Sequence, residues 1–127
     1  MGAGKILVVD DDAEVRMATR DFLTTKGHDV TLAEDGVQAL KLLATVKPDV
    51  VLLDVAMPEM DGMEVLRRIV AGHPNLPVIM VTANADIEIT SKVLQLGAAD
   101  YVPKPFDLDY LDQAINIQLS AGRGAGG

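Results

Sequence analysis

No cysteine occurs among the 127 residues, which excludes disulfide staples and thiolate zinc sites. No apolar run is long enough to span a bilayer, so no membrane contact is expected. The segment before the first apolar run is too short for a signal peptide. Cation is scarce: 11 Lys and Arg face 19 Asp and Glu, a net charge of -8. That balance argues against direct nucleic-acid binding, which needs clustered Lys and Arg against phosphates. It suits a site that gathers carboxylates around a divalent cation. Disorder is excluded by an apolar content of 49%. What remains is one cytoplasmic domain with a real core.

The stretch Val50–Gly62 organises the rest. Val50, Val51, Leu52 and Leu53 run without interruption into Asp54. A short apolar run of this kind reads as a strand buried on both faces, as in a parallel sheet. Asp54 then stands at the carboxyl end, where open α/β sheets place their ligands. Pro58 and Asp61-Gly62 break the chain before the next helix.

In chain order, Met1–Gly4 is a leader and Lys5–Val9 a strand ending on Asp10-Asp11-Asp12. A helix over 13–26 turns Val15, Ala18, Thr19 and Phe22 to one side, and Gly27 closes it. A strand over 29–33 precedes a helix over 36–46 with Val37, Leu40 and Leu43/Ala44 inward. After the central strand come a helix over 63–71, a strand over 77–82, a helix over 86–96, a short strand over 101–103 and a helix over 108–119. Residues 5–120 make one domain, and the Gly-rich 121–127 is read as a disordered tail or the start of a linker. Five β-α units with short connections predict a doubly wound, five-stranded parallel sheet with five helices, flavodoxin-like, in the order 2-1-3-4-5.

That order makes the first and third strands neighbours, so Asp10, Asp11 and Asp54 converge, and Thr82 and Lys104 lie at the same end of the sheet. Three close carboxylates repel one another unless a cation joins them. Mg²⁺ or Mn²⁺ with oxygen ligands is the natural partner, and Mg²⁺ keeps sites open for waters and phosphate oxygens. Lys104 offers a mobile positive charge and Thr82 a hydroxyl donor for a phosphoryl group. One carboxylate would be the nucleophile. Asp12 precedes helical residues and reads as an N-cap, which leaves Asp10 and Asp11 for the metal.

These motifs resemble the receiver domains of bacterial two-component response regulators, the CheY-like family. The carriers are Val8-Val9-Asp10-Asp11, the segment from Leu53 to Gly62, Val81-Thr82-Ala83, and the segment from Gly97 to Phe106. The likeness runs from Lys5 to Leu119. It implies that Asp54 accepts a phosphoryl group from a phosphohistidine on a sensor kinase or phosphotransfer protein, and that the domain controls an output domain or partner. It implies that Asp11 binds Mg²⁺ directly, Asp10 largely through water, and the Ala56 carbonyl as a further ligand. It implies that Lys104 pairs with the phosphate, that Thr82 and Tyr101 form the switch, and that the Lys104–Pro105 bond is cis. The domain would assist its own phosphorylation and dephosphorylation without being an enzyme on an external substrate.

Two rivals fit less well. An aspartate-nucleophile phosphatase usually has an acid two residues after the nucleophile, where this chain has Ala56. A flavin or nucleotide binder would want Gly, Ser and Thr in the first loop, not Asp10-Asp11-Asp12. His28 and His73 read as surface loop residues. Ile87, Leu94, Tyr110 and Ile117 lie off the inward stripes of the last two helices. They read either as an output or dimer surface, including a phosphorylation-dependent homodimer, or as scattered apolar residues.

Ala56 and Asn84 stand two residues beyond Asp54 and Thr82 and should overhang the pocket mouth. Ala56→Glu and Asn84→Ala are each expected to alter the lifetime of phospho-Asp54 without preventing its formation. A dephosphorylation rate equal to the wild type in both variants would count against that placement.

Overall fold

Short aliphatic runs set the architecture. A computed structural model describes residues 4–55, 61–82, 87–104 and 107–126. The strands are β1 (Lys5–Val9), β2 (Asp29–Ala33), β3 (Val50–Asp54), β4 (Val78–Thr82) and β5 (Asp100–Pro103). The helices are α1 (Ala13–Thr25), α2 (Gly36–Val46), α3 (Gly62–Gly72), α4 (Ile87–Gln95) and α5 (Leu108–Gly126). All strand pairs are parallel and the order is β2-β1-β3-β4-β5, as the alternation predicts. Every residue of β3 and β4 is buried, which is why their sequences do not alternate.

Successive side chains along each strand serve opposite faces. Leu7, Val9, Val51, Leu53, Val78 and Met80 pack with Ala39 and Leu43 of α2, Val65, Leu66 and Ile69 of α3, and Val93 of α4. Ile6, Val8, Val50, Leu52, Ile79 and Val102 pack with Leu23 of α1 and Leu111, Ala114, Ile115 and Leu119 of α5. The two layers bury both sides of the central strands, and that burial is the main driving force for the fold.

Several expectations are corrected. On α1 the buried pair is Thr19 and Leu23, while Ala18 is exposed. On α2 the three buried residues are Gly36, Ala39 and Leu43, while Val37 and Ala44 are exposed. Leu43 belongs to either stripe, and contact with the sheet decides which flanking residue turns inward. The helix α5 runs from Leu108 through Gly126. Once a helix is anchored by its packed first turns, each added residue gains a hydrogen bond, and Ala121, Arg123 and Ala125 are good helix formers.

His28 is the largest departure. It is not a surface residue: it is 5% exposed. The Gly4 N–H donates to its Nδ1 at 3.2 Å, and its Nε2 lies 3.4 Å from Asp112 Oδ1 on α5. With Nδ1 accepting, the neutral ring carries its proton on Nε2 and donates it to Asp112. Asp112 also accepts from Asn116 Nδ2 at 3.3 Å. His28 therefore ties the start of β1 to α5.

The α3 entry fixes the chain just after Asp54. Asp61 caps the helix by accepting from Glu64 N–H at 3.0 Å. Gly62 N–H donates to Val55 O at 2.8 Å. A Cβ at Gly62 would collide with the Asp54 carbonyl oxygen and reach 2.7 Å from Val55 Cα. Only glycine permits this approach, which holds the end of β3 against the helix N-terminus.

The His28 contacts make a stability prediction. His28→Ala leaves the Gly4 N–H unpaired beside a cavity and should cost about 2 kcal/mol. His73→Ala, at an exposed helix end, should stay within about 0.5 kcal/mol of the wild type. Urea unfolding midpoints measure both, and equal midpoints would contradict the buried role of His28.

Candidate functional site

Four strand ends build the site. Val9 pairs with Leu53, so Asp10 and Asp54 leave adjacent strands side by side. Asp54 pairs with Val81, which puts Thr82 one residue further along the next strand. Lys104 follows β5, and its backbone N–H donates to Thr82 O at 2.6 Å. Neighbouring strands are about 4.8 Å apart, so roughly 14 Å separate β5 from β1. Anchoring Lys104 on the end of β4 shortens that span enough for its side chain to cross it.

Lys104 Nζ lies 2.9 Å from Asp10 Oδ2 and 3.3 Å from Asp54 Oδ2. Asp10 and Asp54 are buried, at 4% and 6% exposure, whereas Asp11 is exposed. Carboxylate oxygens of Asp10, Asp11 and Asp54 all lie within 4.8 Å of one another. Burial by itself lowers the Lys104 pKa. The hydrogen bond to Asp10 and the fields of Asp54 and Asp10 outweigh it and leave the pKa raised. A raised lysine pKa contributes stability that is complete below the ordinary value near 10.4 and is lost as pH rises through the folded-state value. At neutral pH the ammonium is fully charged.

Asp10 is held at each polar atom. Its N–H donates to Ala33 O at 3.2 Å. Its Oδ1 accepts from Asp12 N–H at 2.9 Å and its Oδ2 from Lys104. Its carbonyl accepts from Arg16 Nη1 at 2.7 Å. Asp12 turns away and accepts from Glu14 and Val15 N–H, so it is the α1 cap that its position predicts. Arg16 went unnoticed in the sequence, where a basic residue on a helix reads as a solvated face. Its only local signal is its place one turn after an acidic N-cap.

Two of the three carboxylates share the Lys104 ammonium, Asp11 lies beside them, and all the donors are hard oxygens. Such a set fits a hard divalent cation such as Mg²⁺. Tyr101 lies on β5 opposite Met80 and packs, partly buried, against the core layer under α2, α3 and α4. Ile87, Leu94, Tyr110 and Ile117 are all exposed, Ile87 to 80%. Ala56, Asn84 and Pro105, and with Pro105 the Lys104–Pro105 bond, lie outside the described residues. Among the described residues no helix is long and apolar enough to cross a membrane.

A family model described as the response regulator receiver domain matches residues 6–116. Response regulator MprA of Mycobacterium sp. (strain KMS) is 47% identical over 107 residues, which cover 84% of this chain and 46% of the relative. The DNA-binding transcriptional regulator NtrC of Escherichia coli (strain K12) is 44% identical over 109 residues, which cover 86% of this chain and 23% of the relative. The chain thus spans less than half the length of these curated relatives. The receiver domain of the Francisella response regulator 1452 matches with a TM-score of 0.88 and 35% identity, covering 93% of this chain and 98% of that one. A CheY-like receiver domain protein of Methanospirillum hungatei JF-1 matches with a TM-score of 0.91 and 29% identity, covering 95% and 97%. Likeness in sequence and in fold over nearly the same residues makes this chain a member of the response regulator receiver domain family of two-component systems.

Proposed function

We propose that Asp54 accepts a phosphoryl group from a phosphohistidine of a sensor kinase or histidine phosphotransfer protein, and that the domain then changes conformation to control an output domain or partner. The observation that carries this reading is the Lys104 ammonium shared between the Asp10 and Asp54 carboxylates beside Asp11. An Asp54 carboxylate oxygen attacks phosphorus, the P–N bond breaks, and the histidine nitrogen leaves with the electron pair. Lys104 offers its ammonium to the phosphoryl oxygens as their charge shifts, and Thr82 offers its hydroxyl. Mg²⁺ or Mn²⁺ held by Asp10, Asp11 and Asp54, with the Ala56 carbonyl as a further ligand, would supply additional charge neutralisation.

Thr82 and Tyr101 are the switch residues in this reading, and the backbone bond from Lys104 to Thr82 supports their coupling. Ala56 and Asn84 tune the phosphoryl lifetime. The chain acts on itself alone, assisting its own phosphorylation and hydrolysis. The acidic composition favours a cytoplasmic module without its own nucleic-acid or membrane surface. A relative named as a DNA-binding transcriptional regulator supports an output at DNA made elsewhere, by another part of a longer chain or by a partner. The receiver unit is residues 5–120. Ile87, Leu94, Tyr110 and Ile117 form the output or homodimer face, which their exposure supports.

Acetyl phosphate with Mg²⁺ is expected to add the mass of one PO₃H to the wild type. It should add nothing to Asp54→Ala or to wild type stripped with EDTA. Intact-mass spectrometry reads this, and an adduct that persists in Asp54→Ala would remove the nucleophile assignment. For the exposed face, the double variant Tyr110→Ser/Ile117→Ser should phosphorylate normally yet lose phosphorylation-dependent dimerisation or partner binding. Native mass spectrometry showing the wild-type oligomeric state, together with wild-type partner binding, would rule that face out.

A further inference from the structure

Arg16 is the one basic side chain besides Lys104 that reaches the acidic turn among the described residues, and the function above does not use it. Its backbone N–H donates to Asp12 O at 3.0 Å, and its Nη1 donates to Asp10 O at 2.7 Å. One residue thus holds the turn from both ends. Its side chain is only 16% exposed, while Glu34, 3.9 Å from Nη2, is 65% exposed. An exposed pair at that distance contributes little. The bond to Asp10 O is the short, charge-assisted one.

That carbonyl marks where β1 leaves the sheet. Ladder pairing of β1 with β3 ends at Val9 and Leu53. Asp10 therefore needs a donor from outside the sheet, and Arg16 supplies it from α1. The turn also carries three successive carboxylates, whose repulsion favours splaying it open. A guanidinium on the Asp10 carbonyl opposes that tendency without neutralising any carboxylate, because it binds the main chain. The Asp10 and Asp11 oxygens stay available to a cation.

We propose that Arg16 is a positioning residue that holds the Asp10–Asp12 turn in the geometry that binds a divalent cation. This rests on the phosphoacceptor reading for its consequence, and on hydrogen-bond geometry for its content. Residues that orient metal ligands from behind typically change affinity by about ten- to a hundred-fold when replaced. Arg16 acts through one backbone carbonyl, so the lower end of that range applies.

Three variants separate the donor from its stem. Arg16→Met keeps the apolar stem and removes the donors, Arg16→Ala removes both, and Arg16→Lys keeps a charged donor without the planar fork. Mg²⁺ affinity is read by calorimetry on unphosphorylated protein. Amide exchange at Asp12, whose N–H donates to Asp10 Oδ1 at 2.9 Å, is read without metal. Arg16→Met and Arg16→Ala should bind Mg²⁺ about ten-fold more weakly, with faster exchange at Asp12 and unchanged exchange in β3 and β4. Arg16→Lys should recover part of the affinity.

Mg²⁺ affinity in Arg16→Met within two-fold of the wild type, with Asp12 exchange unchanged, overturns the proposal and leaves Asp54 phosphorylation standing. Faster exchange throughout the sheet would mark Arg16 as a general stability residue and overturns it too. Wild type that binds Mg²⁺ but takes no phosphoryl group from acetyl phosphate overturns the phosphoacceptor reading alone. Wild type that binds no Mg²⁺ overturns both.

Discussion

Two buried carboxylates bridged by the Lys104 ammonium are the constraint on which this structure depends. Asp10 and Asp54 are almost fully withdrawn from water, and Lys104 lies within 3.3 Å of both. Withdrawing an ion from water costs several kcal/mol, and a packed apolar set of the same volume would often be more stable. Asp11 stands at the rim, its carboxylate within 4.8 Å of those of Asp10 and Asp54. The cluster is thus a poor way to stabilise a domain, and its hard oxygen donors fit a divalent cation. Both faces of the central strands are packed to completion, and those layers offset the cost of the acidic end.

Topology turns this constraint into a site. Strands β1 and β3 are neighbours only because the chain crosses over after β2, and that reversal opens a crevice at their carboxyl ends. The acids come from the first half of the chain and the ammonium from the last quarter, so none of the contacts exists before the sheet closes. The Lys104 N–H to Thr82 O bond adds a mechanical link. The end of β4, where Thr82 is buried, is thus held to the residue whose side chain reaches the acids. Tyr101 lies on β5, three residues before Lys104, and is only partly buried.

Strand order and the acid cluster were legible because they depend on punctuation: apolar runs ending on Asp10, Asp54, Thr82 and Lys104, with short connections between them. What stayed hidden depends on contacts distant in the chain. His28 looked like a loop residue beside Gly27, and its burial is decided by Gly4 and by Asp112 on α5, eighty-four positions away. Val37 and Ala18 fit a helical stripe as well as their neighbours do, and the sheet selected Ala39 and Leu23 instead. Arg16 escaped notice because its partner is a backbone carbonyl, and a carbonyl carries no residue type for a pattern to find.

The site has a rigid side and an adjustable side. Asp10 is bonded through its N–H, its carbonyl and both carboxylate oxygens, so moving it breaks several contacts at once. Lys104 reaches the acids on a long stem and keeps some solvent access, and Asp11 is exposed. Asp10 is thus the fixed wall of the site, and the ammonium and the outer carboxylate are the groups that water still reaches. The Lys104 backbone is tied to the end of β4 through its bond to Thr82 O. The asymmetry follows from where the hydrogen bonds are.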